Sequence, residues 1–387
     1  MHSDLSGGPS DVDIVFVVTG DLRYNSRALK QLDLLSQNDC TVLAVGLAEE
    51  ASLEKLNDNV SIQMLPRPAG QGPRFFRRCH QLFKAFASVQ PASVYHASDL
   101  YNLPALAKAA SQHQAKLVYD ARERYPYVAS TAKRPWVSWF WEMIESRYIK
   151  QADVVFTVSQ SIASHIAASY NVEMPAVLHN VPAFRAYEPS DVLRMAFHVP
   201  ATKKIVLHQG KMQKDRGCLL IARAMQHVEG AVLVFLGDGP LKPIVEAEVE
   251  RLGLADKIKF KPPVAPAELH AHTCSADIGV TLLEDTCLNH RYALPNKLFE
   301  YLMAGLPVLA SDLPEIGRIV EEYDVGRVVY PEDPVEIGHV LQQIVDAPAR
   351  DPESLTKSAK VLETFNWEKA SEVFWRKYKN LILTLGN

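Results

Sequence analysis

One segment of the chain combines side chains that could bind an anion and a pair of hydroxyl groups. It runs from Leu294 to Ser311 and reads LPNKLFEYLMAGLPVLAS. Pro295 is typical of a helix start and Gly305 of a helix end, so the segment predicts a short helix followed by a buried strand. At about 100° per residue, one face of that helix is apolar. This face carries Leu298, Phe299 and Leu302.

Another face of the predicted helix carries polar groups. Asn296 and Glu300 lie four residues apart and therefore share it. The free amides of a helix N-terminus favour an anion, and Lys297 adds a positive charge. The Glu300 carboxylate, one turn further on, can accept hydrogen bonds from two hydroxyls. These groups suit a nucleotide sugar, although an ordinary capped helix with a surface glutamate explains the same residues equally well.

The elements that would position this helix alternate between strands and helices. Ile14–Val18 is a continuous apolar run, which is typical of a strand covered on both faces. The alternation pauses after Asn180 and restarts at Ile205, which predicts two doubly wound α/β domains. The stretch Trp367–Leu385 reads as an amphipathic helix. We therefore predict an N-terminal Rossmann-like domain at 1–182, a linker at 183–203, a C-terminal Rossmann-like domain at 204–365 and a terminal helix at 366–387.

Composition and charge exclude several classes of protein. The 387 residues include 41 Lys and Arg against 45 Asp and Glu, a net charge of −4, and 48% are hydrophobic. Such a chain is globular and is not a bulk nucleic-acid binder. Its five cysteines are scattered, which indicates a reducing compartment. No basic segment followed by an apolar run opens the sequence, so we expect a cytoplasmic protein.

The sequence predicts no metal site. Its one Asp-x-Asp motif, Asp11-Val-Asp13, precedes the first predicted strand and belongs to no ligand-binding edge. His270 and His272 lie two residues apart on a helical stretch and point to different faces. We therefore expect neither a metal nor another cofactor.

Several further segments, taken together with 294–311, carry a resemblance to a known family. The chain resembles the retaining GT-B glycosyltransferases of family four (glycosyl transferases group 1), in the subgroup with a PNK-x-x-EY motif, and the resemblance spans nearly the whole chain. GKMQKDRG is similar to the family's G-R-x(4)-K-G phosphate clamp. Lys211 stands where the family has arginine, and Arg216 stands where it has lysine. The matching segments are Val94–Asp99, Leu117–Glu123, Ala152–Ser159, Asn180–Pro182, Gly210–Gly217 and Val234–Pro240.

The resemblance implies a fold, a reaction and a set of site residues. Two Rossmann-like domains would face a central cleft, with the last helix crossing back to the N-terminal domain. The C-terminal domain would hold a nucleotide-diphosphate-sugar donor, of the UDP or GDP type, for transfer to a hydroxyl acceptor with retention at the anomeric carbon. Glu300 would bind the ribose hydroxyls, while Lys211 and Arg216 would neutralise the departing diphosphate. Other donor contacts would come from Gly210, Gly237, Gly239, Val264, Asn289, Arg291, Tyr292, Pro295, Asn296, Lys297 and Leu298.

Two positions depart from the family pattern. Tyr292 stands where many members have a second glutamate that touches the donor sugar, so its neighbours would have to supply those contacts. Arg122 stands where the family has a cleft histidine. His96 follows a predicted strand, and a structural role for it stays open. The candidate catalytic residues of the N-terminal domain are thus His96, Asp120 and Arg122.

Two other functions stay open at this point. Sugar-nucleotide epimerases share the two-domain fold. They need a pair of carboxylates as acid and base, which Asp99, Asp120 and Glu123 could supply. The protein could also be a non-catalytic, nucleotide-sugar-binding subunit of a glycosyltransferase complex. Tyr292 in place of the family's second glutamate leaves this alternative open.

Two N-terminal segments mix basic and aromatic residues. They are Pro73–Lys84 and the stretch from Lys133 to Trp141. Such mixtures suit peripheral contact with an anionic membrane, here the inner face. A core-facing aromatic stripe flanked by solvated arginines is the alternative.

Overall fold

The computed structural model describes residues 12–70, 72–131, 133–347 and 352–384, so Asp11 of the Asp-x-Asp motif lies outside the described residues. The chain divides into two compact units. Unit 1 comprises the residues up to Leu178 together with those from Ala370 onward, and unit 2 is His179–Lys369. Each unit contains one mainly parallel sheet with helices connecting its strands, which confirms the predicted pair of Rossmann-like α/β domains.

Unit 1 is built on a sheet whose strands are rich in β-branched residues. The strands are β1 (Ile14–Val17), β2 (Val42–Ala48), β3 (Ser52–Lys55), β4 (Val60–Pro66), β5 (Val94–Ala97), β6 (Lys116–Ala121), β7 (Val154–Thr157) and β8 (Ala176–Val177). Their order is β3-β4-β2-β1-β5-β6-β7-β8, and only the β3–β4 pair is antiparallel within the described residues. The helices are α1 (Ser26–Gln37), α2 (Gly72–Val89), α3 (Leu103–His113), α4 (Pro135–Tyr148) and α5 (Gln160–Tyr170).

Unit 2 is built on a sheet that is parallel throughout its described strands. Its elements are α6 (Val192–Ala196), β9 (Lys204–Gln209), α7 (Cys218–Ala224), β10 (Ala231–Leu236), α8 (Lys242–Arg251), β11 (Ile258–Lys261), α9 (Pro266–Cys274), β12 (Ile278–Thr281), α10 (Leu288–Arg291), α11 (Asn296–Met303), β13 (Val308–Ser311), α12 (Pro314–Glu322), β14 (Gly326–Val329), α13 (Pro334–Asp346) and α14 (Pro352–Thr364). The strand order is β11-β10-β9-β12-β13-β14. It reverses at β9, and in open α/β sheets such a reversal marks the ligand position.

Helix α11 is the predicted helix of the 294–311 segment, and the sheet fixes its register. Its predicted apolar face is confirmed, because Leu298, Phe299 and Leu302 are buried. Tyr301 anchors the helix to two strands: its hydroxyl accepts a hydrogen bond from the Gln209 amide at 3.0 Å and donates one to the Val280 carbonyl at 3.1 Å. The polar face of α11 is therefore held at a fixed position beside the end of β9.

The segment predicted as a linker, 183–203, is part of unit 2 in the structure. It contains α6, whose Leu193 is fully buried. Arg194 ties this helix to the sheet through an ion pair with Asp277, at 2.9 Å. A single buried leucine in a five-residue helix gives too weak a periodic signal to separate this segment from a linker in the sequence.

The last helix, α15 (Trp367–Leu383), returns to the N-terminal unit, as predicted. Phe374, Tyr378 and Leu381 form its buried stripe. The Phe374 ring stacks on Phe156 of β7 with centroids 5.2 Å apart. This packing makes α15 a structural part of unit 1 from Ala370 onward.

We predict that Gly279→Ala destabilises the protein by about 1–3 kcal/mol, the usual cost of overpacking a core. A Cβ at this β12 position would lie 2.3 Å from the Tyr301 ring, so α11 would have to shift away from the sheet. Urea unfolding measures the change. Gly317→Ala is the matched control, because its Cβ would meet only the Asp312 carboxylate within 3.4 Å and helix propensity favours alanine. Equal stability of the two variants would contradict this role of Gly279.

Candidate functional site

A cavity of about 770 Å³ opens in unit 2 beside the N-terminus of α11 and the carboxyl ends of β9 and β10. This is the edge at which parallel α/β sheets bind ligands. Its lining consists of Gln209, Gly210, Lys211, Gln213, Arg216, Leu236, Gly237, Asp238, Gly239, Pro263, Val264, Leu269, Pro295, Asn296, Lys297 and Glu300.

Two glycines allow the loops after β9 and β10 to touch through bare backbone. A Cβ at Gly237 would lie 2.1 Å from the Gly210 carbonyl oxygen, and one at Gly239 would lie 2.1 Å from the Met212 carbonyl oxygen. A backbone hydrogen bond from the Met212 N–H to the Asp238 carbonyl, at 2.9 Å, stabilises the contact. No residue other than glycine fits at 237 or 239 without separating the loops.

The loop after β9 places two cations on the cavity wall, Lys211 and Arg216. Gly217 ends the loop with φ +67°, and a Cβ there would lie 2.4 Å from the Cβ of Leu282. Its amide donates to the Glu284 carboxylate at 3.3 Å. The loop therefore reaches α7 by a route that only glycine permits, and this route determines where Arg216 stands.

Glu300 does not stand alone in the cavity wall. The side-chain amide of Gln209 donates a short hydrogen bond to its Oε2. Thr273 Oγ1 donates in turn to Gln209 Oε1 at 2.9 Å. This chain of hydrogen bonds orients the carboxylate, whose remaining lone pairs can accept from ligand hydroxyls.

Gln209 was not predicted as a site residue. Its position one residue before the Gly210 turn, at the end of an apolar strand, is the signal that could have identified it.

Lys297 adds a third cation to the cavity, and burial lowers the pKa of its ammonium to about 8. Arg216 lowers this pKa further, while Glu300 and Cys218 act in the opposite direction. An anion in the cavity would stabilise the ammonium form. The combination of three cations with one oriented carboxylate can hold a polyanion next to a pair of hydroxyls.

Most of the predicted donor-binding residues of unit 2 meet in this cavity, and four do not. Leu298 is fully buried, so its side chain packs in the core. Asn289, Arg291 and Tyr292 are not among the lining residues. Arg291 instead forms an ion pair with Asp285, at 3.5 Å. Asn289 and Arg291 lie on α10, and Tyr292 follows it in the segment that leads into α11.

Two of the three candidate catalytic residues of unit 1 are structural. His96 is fully buried, stacks on Phe16 at 4.1 Å and contacts the Tyr378 hydroxyl through Nδ1. Burial lowers the pKa of His96 to about 3, so it stays neutral. A side chain enclosed in this way has no access to a substrate, which corrects the catalytic assignment.

Asp120 is likewise enclosed. It accepts hydrogen bonds from Arg27 Nε at 2.9 Å and from the Gln31 amide at 3.0 Å. Burial by itself would raise the pKa of Asp120, but the Arg27 guanidinium outweighs it and holds the pKa at about 2. A permanently ionised, fully paired carboxylate cannot serve as an acid or base at neutral pH.

Of these three residues, Arg122 is the one whose side chain is partly exposed to solvent. Its Nε donates to the Ser98 carbonyl at 2.8 Å, and its guanidinium lies 3.8 Å from Asp99. Asp99 in turn accepts from the Thr19 amide and hydroxyl, both at 2.9 Å. Together these groups line the carboxyl ends of β1, β5 and β6, where the strand order of unit 1 reverses.

Within the described ranges, no group of three or more His, Cys, Asp or Glu side chains could hold a metal ion. Asp11 is not part of those ranges. Metal independence therefore stays a prediction.

Most aromatic residues of α2 and α4 are buried or half-buried. Phe83 and Phe86 are buried, and Phe76 packs edge-on against Trp141 at 5.0 Å. Trp136 and Trp139 differ, with exposed fractions of 68% and 64%. None of the helices in the described part of the chain is both long and apolar enough to cross a membrane.

Comparison with known proteins finds a matching family model for part of each half of the chain. Residues 23–181 match the family model "Glycosyl transferase 4-like domain", and residues 203–347 match "Glycosyl transferases group 1". D-inositol 3-phosphate glycosyltransferase of Streptomyces avermitilis is 25% identical over 245 residues, which is 59% of this chain and 52% of that protein. The alignment thus spans about half the length of this relative.

Solved structures share the fold at low sequence identity. Sucrose-phosphate synthase from Thermosynechococcus elongatus superposes with a TM-score of 0.79 and 16% identity, over 96% of this chain and 100% of that one. HepE of Anabaena, in complex with UDP and glucose, gives a TM-score of 0.70 and 15% identity, over 95% and 100%. The fold is therefore that of the GT-B class. The two family models match the chain in succession, the first within the N-terminal half and the second within the C-terminal half.

We predict that Glu300→Ala weakens binding of UDP, the nucleotide in the HepE structure, by about 1.5–3 kcal/mol, the value of hydrogen bonds to a charged acceptor. Calorimetric titration measures the loss. Folding stability should change little, because the carboxylate lies on the cavity wall. Glu250→Ala, which removes an exposed carboxylate from α8, is the control. Unchanged UDP affinity in Glu300→Ala would refute the hydroxyl-binding role.

The lowered pKa of Lys297 predicts how UDP affinity depends on pH. Below pH 8 the ammonium is present and can pair with an anion in the cavity, whereas above pH 8 the free protein loses this charge and must take up a proton to bind an anion. UDP affinity should therefore fall as the pH rises through 8. In Lys297→Met the affinity should be lower and nearly independent of pH over the same range. A wild-type affinity that is constant from pH 7 to pH 9.5 would contradict this prediction.

Proposed function

We propose that the protein is a retaining glycosyltransferase that moves a hexosyl or N-acetylhexosaminyl group from a nucleotide-diphosphate sugar to a hydroxyl acceptor. One observation carries the proposal: a single cavity of unit 2 brings the oriented Glu300 carboxylate together with Lys211, Arg216 and Lys297. A nucleoside diphosphate carries a hydroxyl pair and a polyanion in one molecule. The two matching glycosyltransferase family models support the same reaction.

The lining of the cavity suggests how the donor lies. Glu300 would accept from the two ribose hydroxyls, and the three cations would surround the diphosphate. Pro263 and Val264 line the same cavity and would contact the base largely through backbone. UDP and glucose in HepE support a UDP-sugar as the first donor to test, with GDP-sugars as the second.

The reaction breaks the bond between the anomeric carbon and the diphosphate oxygen. For retention, the acceptor oxygen attacks from the same face, and the departing phosphate oxygen takes the acceptor proton. Negative charge grows on the leaving group, so fixed cations lower the barrier most. Lys211, Arg216 and Lys297 supply this charge without a metal ion or other cofactor.

The acceptor would be bound by unit 1, where Arg122, Thr19 and Asp99 line the carboxyl ends of the central strands. We propose a hydroxyl of a glycan, of a lipid-linked sugar or of a small polyol as the acceptor class. One relative is named D-inositol 3-phosphate glycosyltransferase, which makes phosphorylated polyols a suitable first panel of acceptors.

Release of free nucleotide from UDP-glucose and other UDP- and GDP-sugars, measured in EDTA with and without acceptors, tests the function. A transferase releases nucleotide mainly when an acceptor is present and yields a glycoside that retains the anomeric configuration. Acceptor-independent release with a rearranged sugar would indicate an epimerase. Binding without any release would indicate a non-catalytic subunit. Activity that is lost in EDTA and returns with Mn²⁺ would refute metal independence.

We predict that Arg216→Ala lowers kcat by about 10²–10³, the usual loss for one preorganised charge stabiliser. The donor KM should change less, because the charge matters most in the transition state. Arg216→Lys should recover part of the rate, since a point charge can still bind phosphate.

Lys214→Ala is the matched control for Arg216. Lys214 is an exposed cation of the same loop but is not among the cavity-lining residues. If Arg216 only stabilised the loop, its alanine variant would melt earlier and keep a kcat within a few-fold of wild type.

We also propose that Trp136 and Trp139, with the exposed Lys133 and Arg134, contact an anionic membrane surface from the outer side of α4. Indole rings partition to the membrane interface, and cations are attracted to anionic lipid. Sedimentation with phosphatidylglycerol vesicles at low salt should recover the wild type with the pellet. The Trp136→Ser, Trp139→Ser double variant should stay in the supernatant. Wild-type protein that remains wholly in the supernatant would show that the two indoles do not serve membrane binding.

A further inference from the structure

His208 lies directly beneath the cations of the cavity. It is the fifth residue of β9, its exposed fraction is 1%, and its ring packs against Phe235 with centroids 5.2 Å apart. It is not one of the cavity-lining residues, so a donor in the cavity would not touch it. Any effect of His208 on the reaction must therefore pass through its neighbours.

The neighbours converge on one ring nitrogen. His208 Nε2 lies 3.2 Å from the Arg216 carbonyl oxygen, 3.4 Å from the Lys297 ammonium and 3.7 Å from the Cys218 sulfur, a weak donor and acceptor. The carbonyl needs a donor, whereas the ammonium needs an acceptor. A neutral imidazole nitrogen can play one of these roles in a given tautomer, but not both.

The other ring nitrogen indicates which tautomer is present. Nδ1 is buried and has no hydrogen-bond partner. An unpartnered buried N–H costs more than an unpartnered lone pair, because buried donors are almost always satisfied. Nδ1 is therefore the bare nitrogen, and Nε2 carries the proton and donates it to the Arg216 carbonyl. Burial and the nearby Lys297 charge keep the ring neutral by lowering its pKa to about 3.

We propose that His208 is a positioning residue for two of the three cations of the diphosphate site, Arg216 and Lys297. Its Nε2–H holds the backbone of Arg216 and so determines where the guanidinium enters the cavity. Because Nε2 is protonated, it offers Lys297 no lone pair, and the ammonium is directed toward an anion in the cavity instead. This inference rests on the proposed function, since it concerns how the same site receives a diphosphate.

Two substitutions separate positioning from packing. His208→Leu keeps an apolar side chain of similar bulk but removes the donor, and should lower kcat about 10–100-fold, as a displaced catalytic group does. His208→Gln can place an amide N–H near the original Nε2 and should recover at least tenfold of that loss. Phe235→Leu, which loosens the packing around the ring, is the control: it should lower the melting temperature and leave kcat within a few-fold. Equal kcat in the wild type and in a folded His208→Leu variant would overturn the proposal.

A double-variant comparison tests whether His208 acts through Arg216. In an Arg216→Ala background the guanidinium is absent, so His208→Leu should lower kcat/KM by no more than about threefold further. If the double variant lost kcat/KM by the product of the two single-variant factors, His208 would act independently of Arg216. That result would overturn the proposal that His208 acts through Arg216.

A spectroscopic test does not depend on turnover. In ¹⁵N-histidine-labelled protein, the His208 ring should show a protonated Nε2 and a bare Nδ1, both free and with UDP. A protonated Nδ1 or a doubly protonated ring would overturn the tautomer on which the proposal rests. If the wild type neither binds UDP or GDP nor transfers sugar, the proposed function fails while this test of His208 still stands.

Discussion

The site depends on a contact between two loops that have no side chain between them. Gly237 and Gly239 lie against the carbonyl groups of Gly210 and Met212, at distances that no Cβ could share. The hydrogen bond from Met212 N–H to the Asp238 carbonyl joins the same two loops. Because the floor of the cavity is peptide backbone, a ligand can approach it closely, and the loop that carries Lys211 and Arg216 has one available path.

The two units differ in where their charged side chains lie and in whether those charges are paired. Unit 1 buries complete ion pairs, such as Arg27 with Asp120 at 2.8 Å and Arg124 with Glu145 at 2.6 Å. Removing either partner of such a pair would leave an uncompensated buried charge, so these residues preserve structure. In unit 2 the cations line an open cavity, and the carboxylate near them is oriented by Gln209. Charge that is already neutralised cannot stabilise a leaving group, which is why the chemistry we propose lies in unit 2.

Local sequence signals predicted the parts of the fold that local physics decides. The period of Leu298, Phe299 and Leu302 predicted which face of α11 is buried, because 100° per residue leaves one apolar stripe to bury. Proline and glycine predicted the ends of that helix from backbone sterics. The apolar runs predicted two parallel sheets, and Phe374, Tyr378 and Leu381 predicted the last helix in the same way. The grouping of Lys211, Arg216 and Glu300 came from family motifs, and the cavity brings those three residues together.

Tertiary structure alone decided which polar groups meet. Asp120 became a structural carboxylate because the sheet order brings it to Arg27, 93 residues earlier in the chain. His96 became a core residue because α15 returns to unit 1 and covers it with Tyr378. Gln209 and Glu300 are 91 residues apart and meet only because Tyr301 anchors α11 at the end of β9. Periodicity and backbone sterics act over a few residues and can be read directly from the sequence, whereas the partner of a buried charge depends on the topology of the whole unit.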